Sequence, residues 1–272
     1  MTDHYAVIGR PINHTKSPLI HGLFAKSTGQ DLDYAAIEGS AEDFSADVAR
    51  FRAGGGKGMN VTAPFKLQAY GLATQPSERA RLARAANALK FEGDQVLAEN
   101  FDGIGLLRDI QFNLGNPLKD KRVLLLGAGG AVRGALLPFL SAEPAELVMV
   151  NRDLRKAQVL AWELKQPRLT VLGYAALEGQ AFDIVINATS ASLTGELPPV
   201  PGGVFARASL AYELAYGKGL TPFLRLAEEH GAAHLADGVG MLVEQAAEAF
   251  EWWRGVRPDT RPVIDRLTVP LT

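Results

Sequence analysis

The sequence predicts an α/β protein with two domains, and three features of the chain support this prediction. Short apolar stretches alternate with amphipathic helical stretches, which is typical of parallel strands joined by helices. A second alternating region begins near Lys121 and carries a glycine-rich turn between a strand and a helix. A long apolar helix follows that region, and we expect it to pack back on the first domain. The predicted domains are residues 1–103 with 239–272, and residues 104–238.

The first domain is predicted to alternate strand, helix, strand, helix and strand. The stretch "YAVIG" ends on Gly9 and has the composition of a buried strand. Ser17 and Pro18 then have the pattern of a helix N-cap followed by proline in the first turn. The next elements are the strand "LDYAAIE", the helix "AEDFSADVARFRAGG" and the strand "GMNVTA". This order predicts parallel pairing in a parallel-rich sheet.

The second domain is predicted to be a doubly wound sheet. It begins with a basic lead-in, an apolar strand, the glycine-rich turn and a helix in "KRVLLLGAGGAVRGALLPFL". Further strands are predicted in "AELVMVNRD", "LTVLGY", "FDIVINAT" and "ASLAYEL", with the helix "LRKAQVLAWELK" between the first two. The helix "GMLVEQAAEAFEWWRG" is the predicted return segment of the first domain. Strands that alternate with helices after a glycine-rich turn are typical of a doubly wound nucleotide-binding domain.

The composition of the chain excludes several classes of function. The 272 residues include 28 Lys and Arg against 30 Asp and Glu, so the net charge of −2 argues against nucleic acid or an anionic membrane as a partner. The absence of cysteine excludes disulfides, thiolate zinc sites and cysteine nucleophiles. No secretory signal and no membrane-spanning run is visible. We therefore expect a cytoplasmic protein that acts on a small molecule.

The turn "LLLGAGGAVRG" has the context of a dinucleotide-binding fingerprint, because it follows a strand and opens a helix. Gly127 allows the tight turn, and Gly129 allows the backbone to approach a pyrophosphate. The free N–H groups at the helix start favour phosphate. The strict pattern G-x-G-x-x-G is not met, because Val132 occupies its third glycine position. We expect a Rossmann dinucleotide site with backbone contacts from Gly127, Ala128, Gly129, Gly130 and Ala131.

The end of the following strand bears on the choice of dinucleotide. Asn151 lies near the place where an NAD-dependent enzyme has its ribose-binding acid, and Arg152 follows it. Because an arginine suits a 2′-phosphate, NADP is predicted in preference to NAD, with Arg155 as a further contact. Lys156 is interpreted as part of a solvated helix face. Asp153 complicates the prediction, since an acid repels phosphate, and NAD stays possible.

The stretch "GMNVTAPFK" places Thr62 and Lys66 at the end of a short apolar strand, where side chains often point into a cleft. With eight other stretches in matching order, it resembles the shikimate dehydrogenase family over essentially the whole chain. The other stretches are "GRPINHTKSP", "AANAL", "NFDG", "GAGGAVRG", "VNRD", "INATSASL", "YELAYGKGLTPFL" and "DGVGMLVEQAAEAF".

The resemblance implies reversible, NADPH-dependent reduction of 3-dehydroshikimate to shikimate, a step of aromatic amino acid biosynthesis, in a cleft between two α/β domains. Lys66 matches the catalytic lysine of the family, and Asp102 matches its acidic partner. A lysine beside a ketone stabilises the negative charge that hydride delivery creates on oxygen. The implied substrate contacts are Thr15, Ser17, Thr62, Asn87, Tyr216 and Gln245. The implied contacts to the nicotinamide half of the cofactor are Glu78, Leu214 and Gly238.

Five positions depart from the usual family motifs. Thr15 replaces a serine, Asp153 replaces a threonine and Glu213 replaces an aspartate. Ala88 and Phe101 replace threonines beside predicted site residues. Two readings of these lost hydroxyls are open. Either the chain is a divergent member with lower activity or a shifted substrate, or both side chains point into the core.

Alternative functions also stay open. Asp153 favours a quinate/shikimate dehydrogenase with relaxed cofactor and polyol choice. A sensor that binds a dinucleotide and a polyol acid without turnover is disfavoured by Lys66 and Asp102, because a sensor needs neither. His230 and His234 have a spacing compatible with metal binding, but no third ligand is apparent, so no metal site is predicted. The oligomeric state is predicted as monomer or homodimer.

Overall fold

The computed structural model describes residues 2–207 and 210–272. The chain divides into two compact units. The first unit comprises Met1–Gly105 and Val243–Arg266, and the second comprises Leu106–Leu242 and Leu267–Thr272. Of the residues 239–272 that the prediction placed in the first domain, Val243–Arg266 fall in the first unit, and residues 239–242 and 267–272 fall in the second. Each unit contains a sheet with associated helices, and the predicted α/β class is confirmed.

The first five elements alternate as the sequence pattern predicts, and further elements lead to the second unit. In chain order they are β1 (Asp3–Gly9), α1 (Ser17–Thr28), β2 (Leu32–Glu38), α2 (Phe44–Ala53), β3 (Gly56–Val61), α3 (Lys66–Leu72), β4 (Gln75–Pro76), α4 (Glu78–Ala83), β5 (Ala88–Glu92), β6 (Gln95–Glu99) and α5 (Asp102–Arg108). Among the described residues these strands form one sheet in the order β2-β1-β3-β5-β6-β4.

The first sheet is mixed. β1 pairs in parallel with β2 and with β3, as predicted. β5 pairs antiparallel with β3 and with β6, and this hairpin was not predicted. Gly93 and Asp94 join its strands, and Gly93 has a φ of +54°. A glycine-aspartate pair between two strands is a hairpin signal in the sequence, because such tight turns need a positive φ.

The start of α1 differs from the prediction. Lys16 is the N-cap residue and makes no side-chain cap, while Ser17 is the first residue of the helix. Pro18 occupies the first turn as predicted, since its missing N–H removes no intrahelical hydrogen bond there. The hydroxyl of Ser17 is therefore not used as a cap.

The second unit is a doubly wound parallel sheet. Its elements are β7 (Arg122–Leu126), α6 (Gly130–Ser141), β8 (Glu146–Val150), α7 (Leu154–Leu164), β9 (Leu169–Leu172), β10 (Ile184–Asn187), β11 (Leu210–Glu213), α8 (Pro222–Glu229) and β12 (His234–Asp237). The chain continues with α9 (Val239–Arg254) and α10 (Arg261–Leu267). The described strands lie in the order β9-β8-β7-β10-β11-β12, and every pair is parallel.

That strand order places the topological switch between β7 and β10, where ligands bind in doubly wound sheets. The predicted strand "ASLAYEL" is observed from Leu210, and residues 208 and 209 lie outside the described part of the chain. β12 was not predicted. Its sequence is short and lies directly after a glycine turn, so it resembles a loop.

The core of the first unit accounts for two of the departures from the family motifs. Ala88 and Phe101 are buried in a cluster with Tyr5, Ala249 and Trp253. Both side chains therefore point into the core, as the second reading of their lost hydroxyls expects. No helix of residues 2–207 and 210–272 is long and apolar enough to cross a membrane.

Candidate active site and dinucleotide site

The end of β3 and the start of α3 hold Thr62 and Lys66. The Thr62 backbone N–H donates to the Ile8 carbonyl over 2.9 Å, and the Thr62 carbonyl accepts from the Phe65 N–H over 3.0 Å. The Phe65 side chain is buried and stacks on Phe44, with the ring centroids 4.9 Å apart. The backbone before Lys66 is therefore fixed on both sides, and Lys66 begins a helix.

Lys66 and Asp102 form an ion pair within the first unit. Lys66 Nζ lies 2.6 Å from Asp102 Oδ2. The lysine side chain is 33% exposed and the aspartate side chain 10%, so the cation reaches solvent while the anion is held in the protein. The Asp102 backbone N–H donates to Asn100 Oδ1 over 3.1 Å, which fixes the first residue of α5. The structure thus brings together the two predicted catalytic residues.

Asn87 connects this pair to a predicted substrate residue. Its Nδ2 group donates to Asp102 Oδ1 over 2.8 Å and to Gln245 Oε1 over 3.2 Å. Its Oδ1 accepts from the Phe101 backbone N–H over 2.8 Å. Asn87 is 2% exposed, so its amide is fully used inside the protein. The buried amide fixes the orientation of both the aspartate and the glutamine.

Thr15 and Ser17 form a second polar group in the first unit. Thr15 Oγ1 donates to Ser17 Oγ over 3.2 Å, and the Ser17 backbone N–H donates to Thr15 Oγ1 over 3.3 Å. Ser17 is buried at the start of α1, and Thr15 is half-buried. Two neighbouring hydroxyls and a helix start are suited to a carboxylate, because they offer several neutral donors.

The remaining predicted residues lie in separate parts of the chain. Glu78 is exposed at the start of α4. In the second unit, Tyr216 follows β11 and is 38% exposed. Leu214 and Gly238 are in close contact there, because a Cβ on Gly238 would lie 2.1 Å from the Leu214 carbonyl oxygen. The described residues contain no cluster of three acidic or histidine side chains that suits a metal ion.

The glycine-rich turn of the second unit has the geometry that a dinucleotide requires. Gly127 has a φ of +117°, and a Cβ there would lie 3.0 Å from the Ala188 carbonyl oxygen at the end of β10. Gly129 caps the start of α6, which begins at Gly130. A Cβ on Gly129 or on Gly130 would meet no atom within 4 Å, so the space beside this backbone is open. Open space at a helix start suits the approach of phosphate.

A cavity of about 660 Å³ lies at this switch point. It is bordered by the glycine turn, by the end of β8 and by the loop after β10. Its lining includes Gly127, Gly129, Asn151, Arg152, Lys156 and Thr189. A cleft of this volume at the carboxyl ends of parallel strands fits a dinucleotide. The residues present therefore fit the predicted cofactor.

Asp153 has a structural task that the sequence did not reveal. It is the N-cap of α7, and its Oδ1 accepts from the backbone N–H groups of Arg155 and Lys156 over 3.1 and 3.4 Å. Asn151 Nδ2 donates to the Asp153 carbonyl over 2.8 Å. Asp153 also lines the cavity, but the use of its carboxylate at the helix start reduces the predicted conflict with a phosphate. Lys156 is exposed, as interpreted, and it also lines the cavity, whereas Arg155 does not line it.

Sequence reasoning missed several contributors to the cavity, among them Tyr174 and Thr189. Tyr174 lines it after β9, and burial raises the pKa of its phenol while the charge of Arg152 opposes the rise. Thr189 donates through Oγ1 to Asn187 Oδ1 over 2.7 Å, which shapes the loop after β10. Thr189 stands in the quoted stretch "INATSASL", so its position in a loop after a strand was the available signal.

Comparisons with known proteins agree with this geometry. A family model described as the shikimate dehydrogenase substrate binding domain matches residues 7–89. Models described as shikimate / quinate 5-dehydrogenase and as the shikimate 5′-dehydrogenase C-terminal domain match residues 110–194 and 238–268. The shikimate dehydrogenase (NADP(+)) of Nitrosospira multiformis is 57% identical, over 98% of this chain and 98% of that protein. The chain belongs to the shikimate dehydrogenase family.

Other proteins match the chain over a similar share of its length. The shikimate dehydrogenase (NADP(+)) of Dechloromonas aromatica is 53% identical, over 100% of this chain and 99% of its own. The crystal structure of an Ael1 enzyme from Pseudomonas putida has a TM-score of 0.99 and 72% identity, with complete coverage of both chains. The shikimate 5-dehydrogenase of Thermus thermophilus, in complex with NADP(H) and shikimate, has a TM-score of 0.86 and 28% identity, over 97% of this chain and 98% of that one. The predicted family is confirmed.

Proposed function

We propose that this protein catalyses the reversible NADPH-dependent reduction of 3-dehydroshikimate to shikimate. The observation that carries the proposal is the Lys66–Asp102 pair, with Lys66 Nζ 2.6 Å from Asp102 Oδ2. The same aspartate is held by Asn87 over 2.8 Å. A half-exposed cation on a buried, fixed anion is the arrangement that a proton donor to a carbonyl needs.

The chain is an NADP-dependent oxidoreductase of the shikimate dehydrogenase type, as predicted from the sequence. Relatives named shikimate dehydrogenase (NADP(+)) match it over its whole length at 53–57% identity.

The residues of the first unit have distinct tasks in the proposed reaction. Lys66 donates a hydrogen bond to the substrate oxygen on which negative charge develops, and this stabilises the transition state. Asp102 fixes the ammonium group of Lys66 and accepts from a ring hydroxyl. Thr15 and Ser17 bind the substrate carboxylate. Gln245 and Thr62 contact the ring hydroxyls, where a buried unpaired group would cost about 1–3 kcal/mol.

The residues of the second unit bind the cofactor in this proposal. The backbone from Gly127 to Ala131 holds the pyrophosphate, and Arg152 and Lys156 neutralise a 2′-phosphate at the cavity wall. The cofactor, when bound, supplies the hydride for the reduction. Glu78, Leu214 and Gly238 stay proposed contacts of the nicotinamide half, and Tyr216 stays a proposed substrate contact.

The test is a comparison of four pairs of substrate and coenzyme. Purified protein is assayed for oxidation of shikimate and of quinate, each with NADP and with NAD, by following the absorbance of the reduced coenzyme. We expect turnover with shikimate and NADP to exceed the other three pairs.

The other outcomes would replace this proposal by one of its alternatives. Comparable turnover with quinate or with NAD would indicate a quinate/shikimate dehydrogenase with relaxed choice. Tight binding of shikimate and NADP without turnover would indicate a sensor and would contradict the catalytic task of Lys66.

The same proposal includes the binding partners, the location and the oligomeric state of the enzyme. We expect a small-molecule substrate and no nucleic acid, because the net charge of −2 leaves no general attraction for phosphate backbones. A cytoplasmic location and a monomeric or homodimeric state complete the proposal.

A further inference from the structure

The second unit contains a buried carboxylate that the proposed reaction does not use. Glu213 ends β11 and is 0% exposed. Its Oε2 accepts from Asn187 Nδ2 over 2.8 Å, from Ser192 Oγ and from Thr221 Oγ1 over 3.4 Å. Its Oε1 accepts from the Ala215 backbone N–H over 3.2 Å. Four donors from three segments of the chain therefore converge on one acid.

Two of these donors control the loop that lines the dinucleotide cavity. Asn187 and Ser192 stand at the two ends of a short turn, and Asn187 Nδ2 also donates to Ser192 Oγ over 3.1 Å. Asn187 Oδ1 accepts from the N–H and the hydroxyl of Thr189, over 3.1 and 2.7 Å. Residues 188–191 line the cavity. Hydrogen bonds from Asn187 and Ser192 thus connect this part of the cavity wall to the buried carboxylate of Glu213.

The other donors connect the same carboxylate to the segments after β11. Ala215 follows Leu214, whose backbone N–H donates to the Asn187 carbonyl over 3.0 Å. Thr221 is the N-cap of α8 and accepts from the Leu224 N–H over 3.3 Å. Burial raises the pKa of the Glu213 carboxyl, and the hydrogen bonds from its neighbours oppose that rise. All four partners donate, so the ionised form of the carboxylate satisfies the whole cluster.

We propose that Glu213 is a positioning residue for the dinucleotide: by anchoring the loop after β10, it sets the shape of the cavity wall and thereby the affinity for NADP. Glu213 does not itself line the cavity. It acts through Asn187 and Ser192, which hold Thr189 and its neighbours. The inference rests on the proposed function only in its choice of ligand, since the anchoring is a property of the second unit alone.

A substitution by glutamine tests the anchor with little change of volume. Glu213→Gln offers one acceptor oxygen and one NH₂ group with two donors, so the NH₂ group must face a donor from which a carboxylate oxygen accepted. Leaving such a buried donor unpaired is expected to loosen the loop. Ser192→Ala is a second, milder variant, because it removes a single donor of the cluster. Glu229→Gln is the matched control, since it makes the same change at an exposed position of α8.

Binding of NADP⁺ to each full-length variant is measured by titration calorimetry, without substrate. We expect Glu213→Gln to raise the Kd for NADP⁺ about tenfold and Ser192→Ala to raise it about threefold, while Glu229→Gln leaves it unchanged. In the double variant that combines Glu213→Gln with Ser192→Ala, the two effects on the Kd for NADP⁺ should be less than additive. The reason is that both substitutions disrupt the same hydrogen bond, from Ser192 Oγ to Glu213 Oε2. Hydrogen exchange of residues 188–194 should rise in parallel.

Kinetics separate this positioning task from a general loss of stability. At saturating NADP⁺ and shikimate, kcat of Glu213→Gln should fall much less than kcat/KM for NADP⁺. An unchanged Kd for NADP⁺ with a lowered Tm would overturn the proposal, as would additive effects in the double variant. If the wild-type protein binds NADP⁺ but does not oxidise shikimate, the proposed function fails, and the binding measurements still decide the task of Glu213.

Discussion

At the scale of single residues, hydrogen bonds hold the polar side chains of the candidate site in the first unit in fixed orientations. Asn87 uses its amide on Asp102, Gln245 and the Phe101 backbone, so the predicted catalytic aspartate has one orientation. Preorganised groups of this kind lower the reorganisation that the transition state would otherwise require. The family resemblance indicated from the sequence which residues share the catalytic and substrate-binding site. It could not show that Phe101 and Ala88 are core residues, because that depends on packing against the distant Trp253.

His21 is the residue whose chemistry was least visible in the sequence. It is 1% exposed and stacks on Tyr34, with the ring centroids 4.1 Å apart and the rings nearly parallel. Burial lowers the pKa of His21 to about 3, and the neighbouring Asn60 amide opposes this shift only in part. His21 therefore stays neutral in the folded protein at pH values where a solvated histidine is protonated.

This shift predicts a loss of stability in mild acid. Below a pH of about 6.5 the unfolded chain binds a proton at His21 that the folded chain does not bind, so the free energy of unfolding falls as pH falls. The loss is about 1.4 kcal/mol for each pH unit between about 6.5 and the folded pKa of about 3. His21→Phe should flatten this part of the pH dependence, as measured by urea unfolding at pH 7.5 and pH 5.5.

The exposed His234 provides a control for this measurement. His234→Gln should leave the difference between the two pH values as it is in the wild-type protein. Equal pH dependence in His21→Phe and in the wild-type protein would contradict the assignment of the acid-sensitive term to His21.

At the scale of elements, helix starts decide where the site residues stand. Lys66 begins α3, Asp102 begins α5 and Gly130 begins α6. The glycine-rich turn marked the start of α6 in the sequence, whereas the helices α3 and α5 were not predicted. Ser17 was mistaken for a cap, and the cap that Asp153 makes at α7 was not predicted beside its place at the cavity. Both errors arise because serine and aspartate serve equally well as caps and as ligand contacts.

The cap at α7 gives a prediction about coenzyme choice. Asp153→Asn keeps an acceptor for the Arg155 and Lys156 N–H groups, so both the stability and the preference for NADP over NAD should stay close to those of the wild-type protein. Asp153→Ala should lower the free energy of unfolding by about 1 kcal/mol. The measurements are urea unfolding and the ratio of kcat/KM for NADP to that for NAD.

The opposite result for these variants would support the interpretation made from the sequence, in which the acid of Asp153 repels a 2′-phosphate. A large rise of the NADP preference in Asp153→Asn would mean that the carboxylate repels the 2′-phosphate in spite of its place at the helix start. The control is Glu178→Gln, which neutralises an exposed acid that follows β9. Glu163→Gln is less suitable, because the Glu163 carboxylate is half-buried and lies 3.9 Å from the Arg133 guanidinium.

At the scale of the whole molecule, the two units carry different kinds of chemistry. The first unit contains the ion pair and the hydroxyl groups, and the second contains the glycine turn and the cavity with basic residues. The alternating sequence pattern predicted this division, and the parallel order of the second sheet was expected from it. The mixed order of the first sheet was not, since the β5–β6 hairpin interrupts the alternation.

This division predicts that the two Michaelis constants respond to different variants. Ser17→Ala should raise KM for shikimate about tenfold and leave KM for NADP within a factor of about two, because it removes a neutral donor to the carboxylate. Arg152→Gln should raise KM for NADP about tenfold and leave KM for shikimate unchanged within a factor of about two. Initial rates over a grid of both concentrations give the four constants.

A joint rise of both constants in either variant would contradict the separation of tasks. The same grid measured for Arg168→Gln serves as the control, because Arg168 is an exposed arginine of the second unit that does not line the cavity.

The most direct test of the central claim is the turnover number of Lys66→Ala with shikimate and NADP. Lys57→Ala is the matched control, since Lys57 is an exposed lysine on the strand that precedes the site. We expect kcat of Lys66→Ala to fall on the order of 1,000-fold, with KM for NADP little changed, while Lys57→Ala keeps the wild-type rate. A kcat of Lys66→Ala within a few fold of the wild-type value would show that the Lys66–Asp102 pair is not the proton donor, and the proposed mechanism would be wrong.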